Sequence, residues 1–252
     1  MEVHAHTHTA PASGGTGRKK WTHYLWEFLM LFLAVFCGFL AENIRENTVE
    51  RHREKQFIQS YIEDLKTDTN SIRSTIKFQE KKLIILDSLM FLLATQKIKG
   101  YETELYYFGR VIQRSSRFSS NDRTITQLKN SGSLRLIRNE QVADSMISYQ
   151  KTVVELERDA ETELAERQRM YPILSSMFSP FIFDQMVTLD GIHRPENNPP
   201  LRSYDPSLQQ DLAFYIHQFK GSSYLLQRRL EHLYNKAINS ILLLKKEYHL
   251  NE

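Results

Sequence analysis

Apolar side chains recur at alternating steps of four and three along the segment from Ile58 to Leu93. This spacing keeps them on one face of an α-helix, and its persistence over several heptads is typical of a helix in a bundle or coiled coil. Two members of the series are polar, and they indicate either a polar neighbour that fixes the register or looser packing. We therefore predict a long helix at about 44–98. The series is Ile58, Ile62, Leu65, Thr69, Ile72, Ile76, Gln79, Leu83, Leu86, Met90 and Leu93.

The same spacing recurs in three later stretches, and the predicted helices lie at about 101–117, 139–171 and 206–249. Asn139 and Asp205 stand where the last two helices begin, and their side chains suit capping of free backbone N–H groups. The helix at 139–171 should stop before Pro172. The apolar positions are Tyr101, Leu105, Phe108 and Ile112, then Val142, Met146, Tyr149, Val153, Leu156, Ala160 and Leu164, and finally Leu212, Ile216, Phe219, Ser223, Leu226, Leu230, Leu233, Ala237, Ser240 and Leu244.

Long helices with such faces and short connections pack side by side. We predict an all-α protein in which residues 42–252 form one elongated antiparallel helical bundle with coiled-coil-like seams. A parallel homo-oligomeric coiled coil is the alternative, but the connections bring the chain back on itself. The segment at about 179–205 is rich in proline and predicts an irregular connection, of a length that is often functional or disordered.

The most apolar stretch of the chain runs from Trp21 to Ala41 and predicts a transmembrane helix. It holds about 21 residues, or about 31 Å of helix, which matches a hydrocarbon core of about 30 Å. The shorter uncharged run from Phe28 would also suit a core helix or a signal peptide, but aromatic residues and a basic triplet precede it as at a membrane interface. Cleavage after Ala41 is disfavoured because Phe39 would occupy the −3 position. We expect an uncleaved single-pass anchor.

The N-terminal tail, residues 1–20, predicts the orientation of this anchor. Three basic residues lie in the tail and four between Glu42 and Tyr61, so the count alone is nearly balanced. The tail's triplet at 18–20 adjoins the span, which favours a cytoplasmic N-terminus. We expect a bacterial inner-membrane protein with a periplasmic C-terminal domain. We interpret the tail itself as disordered; its alternating His4, His6 and His8 are weak candidates for a transition metal.

One face of the predicted span carries small residues. Ala34 and Gly38 form a small-xxx-small pair, which lets a second helix approach closely. The face consists of Glu27, Leu31, Ala34, Gly38 and Ala41. This pattern predicts association with another span, although such pairs are also frequent in ordinary single spans.

The charge balance of the chain excludes little by itself. With 33 Lys and Arg against 30 Asp and Glu, the formal charge is +3, too small to predict a nucleic-acid partner. Basic residues concentrate locally between 110 and 138, where guanidinium groups could bind a small anionic ligand. Pairing with the acidic run Glu155, Asp159, Glu163 and Glu166 explains them as well. The candidate anion-binding residues are Arg110, Arg114, Arg117, Arg123, Arg135 and Arg138.

Sequence patterns of catalysis are missing from the chain. It has no zinc-protease motif, nucleophile elbow, phosphate loop or dinucleotide fingerprint. Its single cysteine, Cys37, rules out an intramolecular disulfide or a cysteine zinc cluster. The acidic run lacks histidine partners, and we interpret it as a solvated face. We therefore expect no enzyme activity and no cofactor.

Three stretches carry a resemblance: "RKKWTHYLWEFLMLFLAVFCGFLAEN", "REKQFIQSYIEDLKTD" and "TITQLKNSGSLRLIRN". They resemble a family of uncharacterised single-span membrane proteins common in the Bacteroidota, over the anchor and about half of the outer domain. The resemblance implies a bacterial inner-membrane anchor with a helical outer domain, and it implies no catalytic residues.

These patterns together predict a membrane-anchored, non-catalytic interaction or scaffold protein of the cell envelope. It would associate with other envelope proteins or with itself, through its span and its helical domain. An extracytoplasmic ligand-sensing bundle is the alternative, since helical bundles next to a membrane can transmit small helix shifts. Such a sensor would need a separate signalling partner, because a tail of about twenty residues holds no output domain.

Overall fold

The computed structural model describes residues 17–95 and 98–250. The chain is all-α: 79% of it is helical, and in the described residues strand is confined to two pairs of residues. The elements in chain order are α1 (Gly17–Ala94), α2 (Glu102–Val111), α3 (Arg123–Asn130), a 3₁₀ helix (Ser133–Leu136), α4 (Glu140–Arg169), α5 (Tyr171–Met177), α6 (Pro180–Gln185), β1 (Val187–Thr188), β2 (Gly191–Ile192) and α7 (Pro206–Glu247). The all-helical class is as predicted.

The chain divides into two compact units, residues 1–53 and 54–252, and α1 begins in the first and ends in the second. In the first unit, the apolar stretch of α1 is long and apolar enough to cross a membrane, and its side chains are exposed. Three phenylalanines stack along it, with ring centroids 6.3 Å apart for Phe28 and Phe32 and 5.8 Å apart for Phe32 and Phe36. Such a large exposed apolar surface on a helix is unfavourable in water.

In the second unit, the core lies between α1, α4 and α7. Residues of all three helices contribute to one apolar cluster that contains Ile62, Met146 and Leu233. A second cluster joins α1 and α7 to α2, α5 and the connection that follows α5, and it contains Leu86, Phe178 and Phe219. Most positions of the predicted heptad series are buried in these clusters, because the four-three spacing places them on one face.

Cross-helix hydrogen bonds fix the direction of α4 relative to α1. The Tyr149 hydroxyl donates to the Asp68 carboxylate at 2.7 Å, and further along both helices Lys82 forms an ion pair with Glu163. Because later residues of one helix meet later residues of the other, the two helices run in the same direction.

Helix α7 runs against α4. The hydroxyls of Ser145 and Ser240 are 2.7 Å apart, and Arg229 binds Glu155 at 2.9 Å. Earlier residues of α4 thus meet later residues of α7. Helices α1 and α4 can run in the same direction because the long connection between them, which contains α2, α3 and the 3₁₀ helix, returns the chain before α4 begins.

The predicted caps are confirmed. The Asn139 side chain accepts a hydrogen bond from the Val142 N–H at 3.2 Å, and the Asp205 carboxylate accepts one from the Ser207 N–H at 2.9 Å. Gly132 adopts a left-handed conformation with φ 65°, before the 3₁₀ helix. Asn139 and Asp205 thus satisfy free backbone N–H groups where a helix begins, and Gly132 provides the left-handed conformation that follows the end of a helix.

Several predicted boundaries differ from the structure. The span and the helix predicted at 44–98 belong to one continuous helix, α1, which ends at Ala94. Helix α2 ends at Val111, not near 117, and the chain then continues without regular structure until α3. The predicted helix 139–171 ends at Arg169, and a new helix starts next to Pro172, which is tolerated in a first helical turn because no N–H is needed there.

The connection predicted as irregular at 179–205 contains α6 and a two-stranded antiparallel hairpin. Gly191, with φ 141°, provides the backbone conformation that this tight hairpin requires. One further backbone bond extends the hairpin, since the His193 N–H donates to the Met186 carbonyl at 2.8 Å.

Candidate functional site

The predicted association face of the span is fully exposed within the first unit. Glu27, Leu31, Ala34, Gly38 and Ala41 all lie at helical spacing on α1. A Cβ placed on Gly38 would meet no atom within 4 Å, so the described residues leave this side of the helix open. The face therefore offers a shallow, small-residue surface to which another helix could pack.

The structure does not bring the six candidate arginines together. Arg123 binds Asp64 of α1 at 3.0 Å, whereas the backbone N–H of Arg138 donates to Glu54, which precedes Asp64 by about 15 Å of helix. Arg135 is exposed within the 3₁₀ helix. Arg123 and Arg138 therefore lie at different levels of the second unit.

The other three arginines follow or end α2. Burial, together with the positive charge of nearby Arg114, lowers the pKa of Arg110. Arg117 is exposed at the mouth of a cavity of about 260 Å³. Two exposed carboxylates, Glu157 and Glu161, share that mouth, so the charge around Arg117 is not that of an anion site.

The acidic run of α4 uses other partners than these arginines. Glu155 and Asp159 each bind Arg229 of α7 at 2.9 Å, and Glu166 binds Arg169 at 3.0 Å. The acidic run is therefore not solvated throughout, and Glu155 and Asp159 connect α4 to α7.

Glu163 departs most from the predicted solvated face, because it is buried. Its Oε1 atom forms an ion pair with Lys82 and accepts hydrogen bonds from Gln79 Nε2 at 3.4 Å and Ser223 Oγ at 3.3 Å. Burial lowers the pKa of Lys82, and the charge of nearby Arg167 lowers it further, while Glu163 opposes both effects. We call these five residues the polar layer.

A second buried polar cluster joins α1 to the start of α3. Asp64 accepts hydrogen bonds from the Thr124 N–H at 2.9 Å and from Asn121 Nδ2 at 3.0 Å. Asp68 accepts from the Asn121 N–H at 2.7 Å and from the Tyr149 hydroxyl at 2.7 Å. The Asp64 carboxylate thus caps the N-terminus of α3 in place of the helix's own cap residue, whose side chain makes no such bond, and Asp68 holds the residue that precedes that cap residue.

Sequence reasoning missed both clusters. Lys82 and Glu163 are 81 residues apart in the chain, and Asp64 and Thr124 are 60 apart. The only local signal was the polar Gln79 within an apolar series, which predicts a polar neighbour without naming it.

Metal and family comparisons add no further site. Within residues 17–95 and 98–250 no group of three or more His, Cys, Asp or Glu side chains is arranged to hold a metal ion. His4, His6 and His8 lie outside the described residues. No family model, no curated protein and no solved structure matches the chain.

Proposed function

We propose that this chain is a membrane-anchored, non-catalytic interaction protein of the bacterial cell envelope, and that the face of its span binds another membrane-spanning helix. The observation that supports the proposal is the exposed apolar helix of the first unit, on which Ala34 and Gly38 lie one turn apart. Association with other envelope proteins and self-association both fit this face.

The physical reason for the proposal is the way helices associate in lipid. Apolar side chains gain nothing from leaving hydrocarbon for hydrocarbon, so association depends on close packing and on polar contacts. Small residues permit the close packing. Glu27, which lies on the same face near the predicted interface, could accept hydrogen bonds or a positive charge from the partner.

The second unit belongs to the proposal as a helical bundle with coiled-coil-like seams, in which α7 runs antiparallel to α1 and α4, and it offers a further surface for association. Support comes from the cross-helix pairs between α1, α4 and α7 and from the buried heptad positions. Location in the inner membrane, with a cytoplasmic N-terminus and a periplasmic second unit, rests on the basic triplet before the span and on the resemblance described above.

The second candidate function is ligand sensing through a separate signalling partner. The cavity beside Arg117 favours it, because a ligand bound between helices can change their relative position. The two functions differ in how they depend on the span face. A sensor can bind its ligand whether or not its span associates with another helix, whereas the interaction function requires that association.

A pair of substitutions tests the leading proposal. Ala34→Leu together with Gly38→Leu fills the small-residue surface, and we expect cross-linking of the chain to its membrane partner to fall several-fold. Phe36→Leu, on the opposite side of the helix, is the matched control and should leave cross-linking unchanged. Equal cross-linking in both variants would remove the span face from the proposal.

A further inference from the structure

We propose that the cavity beside Arg117 binds a small apolar amine, with its hydrocarbon body inside and its ammonium group at the mouth. The cavity, of about 260 Å³, opens between α1, α4, α7 and the segment that follows α2. This site is independent of the span face and does not rest on the proposed interaction function.

The lining of the cavity is mixed. Its apolar part consists of buried or partly buried side chains from α4, α7 and the segment after α2, namely Leu156, Ala160, Leu226, Leu230 and Phe118, and Thr75, Ser116 and Ser119 add hydroxyl groups. An apolar cavity of about 150 Å³ in another protein is dry and takes up benzene. The present cavity is larger, so it accommodates an aromatic ring or a short alkyl chain with an arm that reaches the mouth.

The mouth of the cavity carries excess negative charge. Glu157 and Glu161 are exposed neighbours one turn apart on α4, and Arg117 is the one cation among the lining residues. Like charges at this spacing repel each other, and a bound cation relieves that repulsion.

These two carboxylates differ from the other acids of the same stretch of helix. Glu155 and Asp159 are neutralised by Arg229, and Glu163 by Lys82. Within the described residues, neither carboxylate at the mouth has an ion-pair partner. Between Glu155 and Glu166, α4 thus leaves carboxylates without an ion-pair partner where its flank opens into the cavity, which is why an ammonium ligand fits better than an anion.

Binding of phenethylamine to the full chain in detergent micelles tests this inference, with 2-phenylethanol and 3-phenylpropanoate as the uncharged and anionic analogues. Saturation-transfer NMR measures each dissociation constant. We expect phenethylamine to bind most tightly and the double variant Glu157→Gln, Glu161→Gln to weaken it about tenfold. The variant Asp144→Asn removes an exposed carboxylate elsewhere on α4 and should bind as the unsubstituted chain does.

Two further variants complete the test. Ala160→Leu fills the cavity and should abolish binding, which separates the site from uptake of the amine by the micelle. Because Glu157 and Glu161 are exposed, their substitution leaves the fold intact even if Ala160→Leu does not. Equal signal from every variant would overturn the inference. Tighter binding of 3-phenylpropanoate, lost in Arg117→Gln, would overturn it in favour of an anion site.

Discussion

Lys82 of α1 and Glu163 of α4 form an ion pair inside the second unit, where their side chains are 2% and 4% exposed. Arg167 lies one turn beyond Glu163 on the same helix and is also buried. The polar layer therefore holds two cations and one anion. Because unpaired charge is costly at such depth, Glu163 is the residue on which the layer depends.

Substitution of Glu163 should accordingly cost more stability than substitution of its partner. We expect Glu163→Gln to lower the free energy of unfolding by about 3–5 kcal/mol, since buried Lys82 loses its ion-pair partner and stays close to the positive charge of Arg167. Lys82→Met should cost about half as much, because it also removes the repulsion between Lys82 and Arg167. Denaturant titration of the full chain in micelles measures both.

The double variant Lys82→Met, Glu163→Leu serves as the control for this pair. Replacing both charges by apolar side chains of similar volume should bring stability back to within about 1 kcal/mol of the original. A larger loss for Lys82→Met than for Glu163→Gln would contradict the assignment of Glu163 as the central residue.

Asp64 should hold the segment from 121 to 130 in place. Its carboxylate accepts from the buried Thr124 N–H and from Asn121, so Asp64→Ala orphans these donors and should cost about 2–4 kcal/mol. Hydrogen exchange of the α3 amides should accelerate at the same time. Asp144→Ala, an exposed position on α4, is the control. Unchanged exchange in α3 would show that Asp64 does not cap this helix.

Much of this fold follows from local sequence, whereas the polar layer and the cluster around Asp64 and Asp68 do not. Heptad spacing identifies a buried face, and the side chains of Asn139 and Asp205 identify helix starts, because both effects act within one or two turns. Which helix a buried Asp64 or Lys82 meets depends on chain reversal over tens of residues. The end of α2 was missed for the same reason, since the segment after it is held by Asp64 and Asp68 of α1.

Asp68 gives the stability a specific pH dependence. Burial raises its pKa above the ordinary 3.8, and neighbouring Asp64 raises it further, against hydrogen bonds from Asn121 and Tyr149. An acid whose pKa is raised by folding binds its proton more tightly in the folded chain. Its contribution to stability therefore increases as the pH falls from above the raised pKa towards 3.8, and decreases as the pH rises.

Comparison with Asp68→Asn isolates this contribution. The asparagine keeps an acceptor for the Asn121 N–H but does not titrate, so the stability of the unsubstituted chain relative to the variant should increase between pH 7 and pH 4. Urea unfolding at the two pH values measures the difference. A constant or decreasing difference would show that folding does not raise this pKa.

Two helical glycines should respond in opposite ways to alanine. A Cβ on Gly109 of α2 would lie 3.1 Å from the buried Phe178 ring, and we expect Gly109→Ala to cost about 1–3 kcal/mol. A Cβ on Gly221 of α7 would meet nothing within 4 Å, so Gly221→Ala should stabilise by about 0.5–1 kcal/mol through helix propensity alone. Thermal unfolding of the two variants side by side checks the signs. Stabilisation by Gly109→Ala would mean that the α2–Phe178 contact is looser than described.

The most direct test of the interaction function is the mass and composition of the particle purified in mild detergent from native membranes, using a C-terminal tag on the full chain. We expect more than one membrane-spanning chain in fixed stoichiometry, either a second copy or another envelope protein. We also expect Ala34→Leu with Gly38→Leu to release a single chain. A monomeric particle from the unsubstituted protein, free of any other membrane protein, would contradict the proposal.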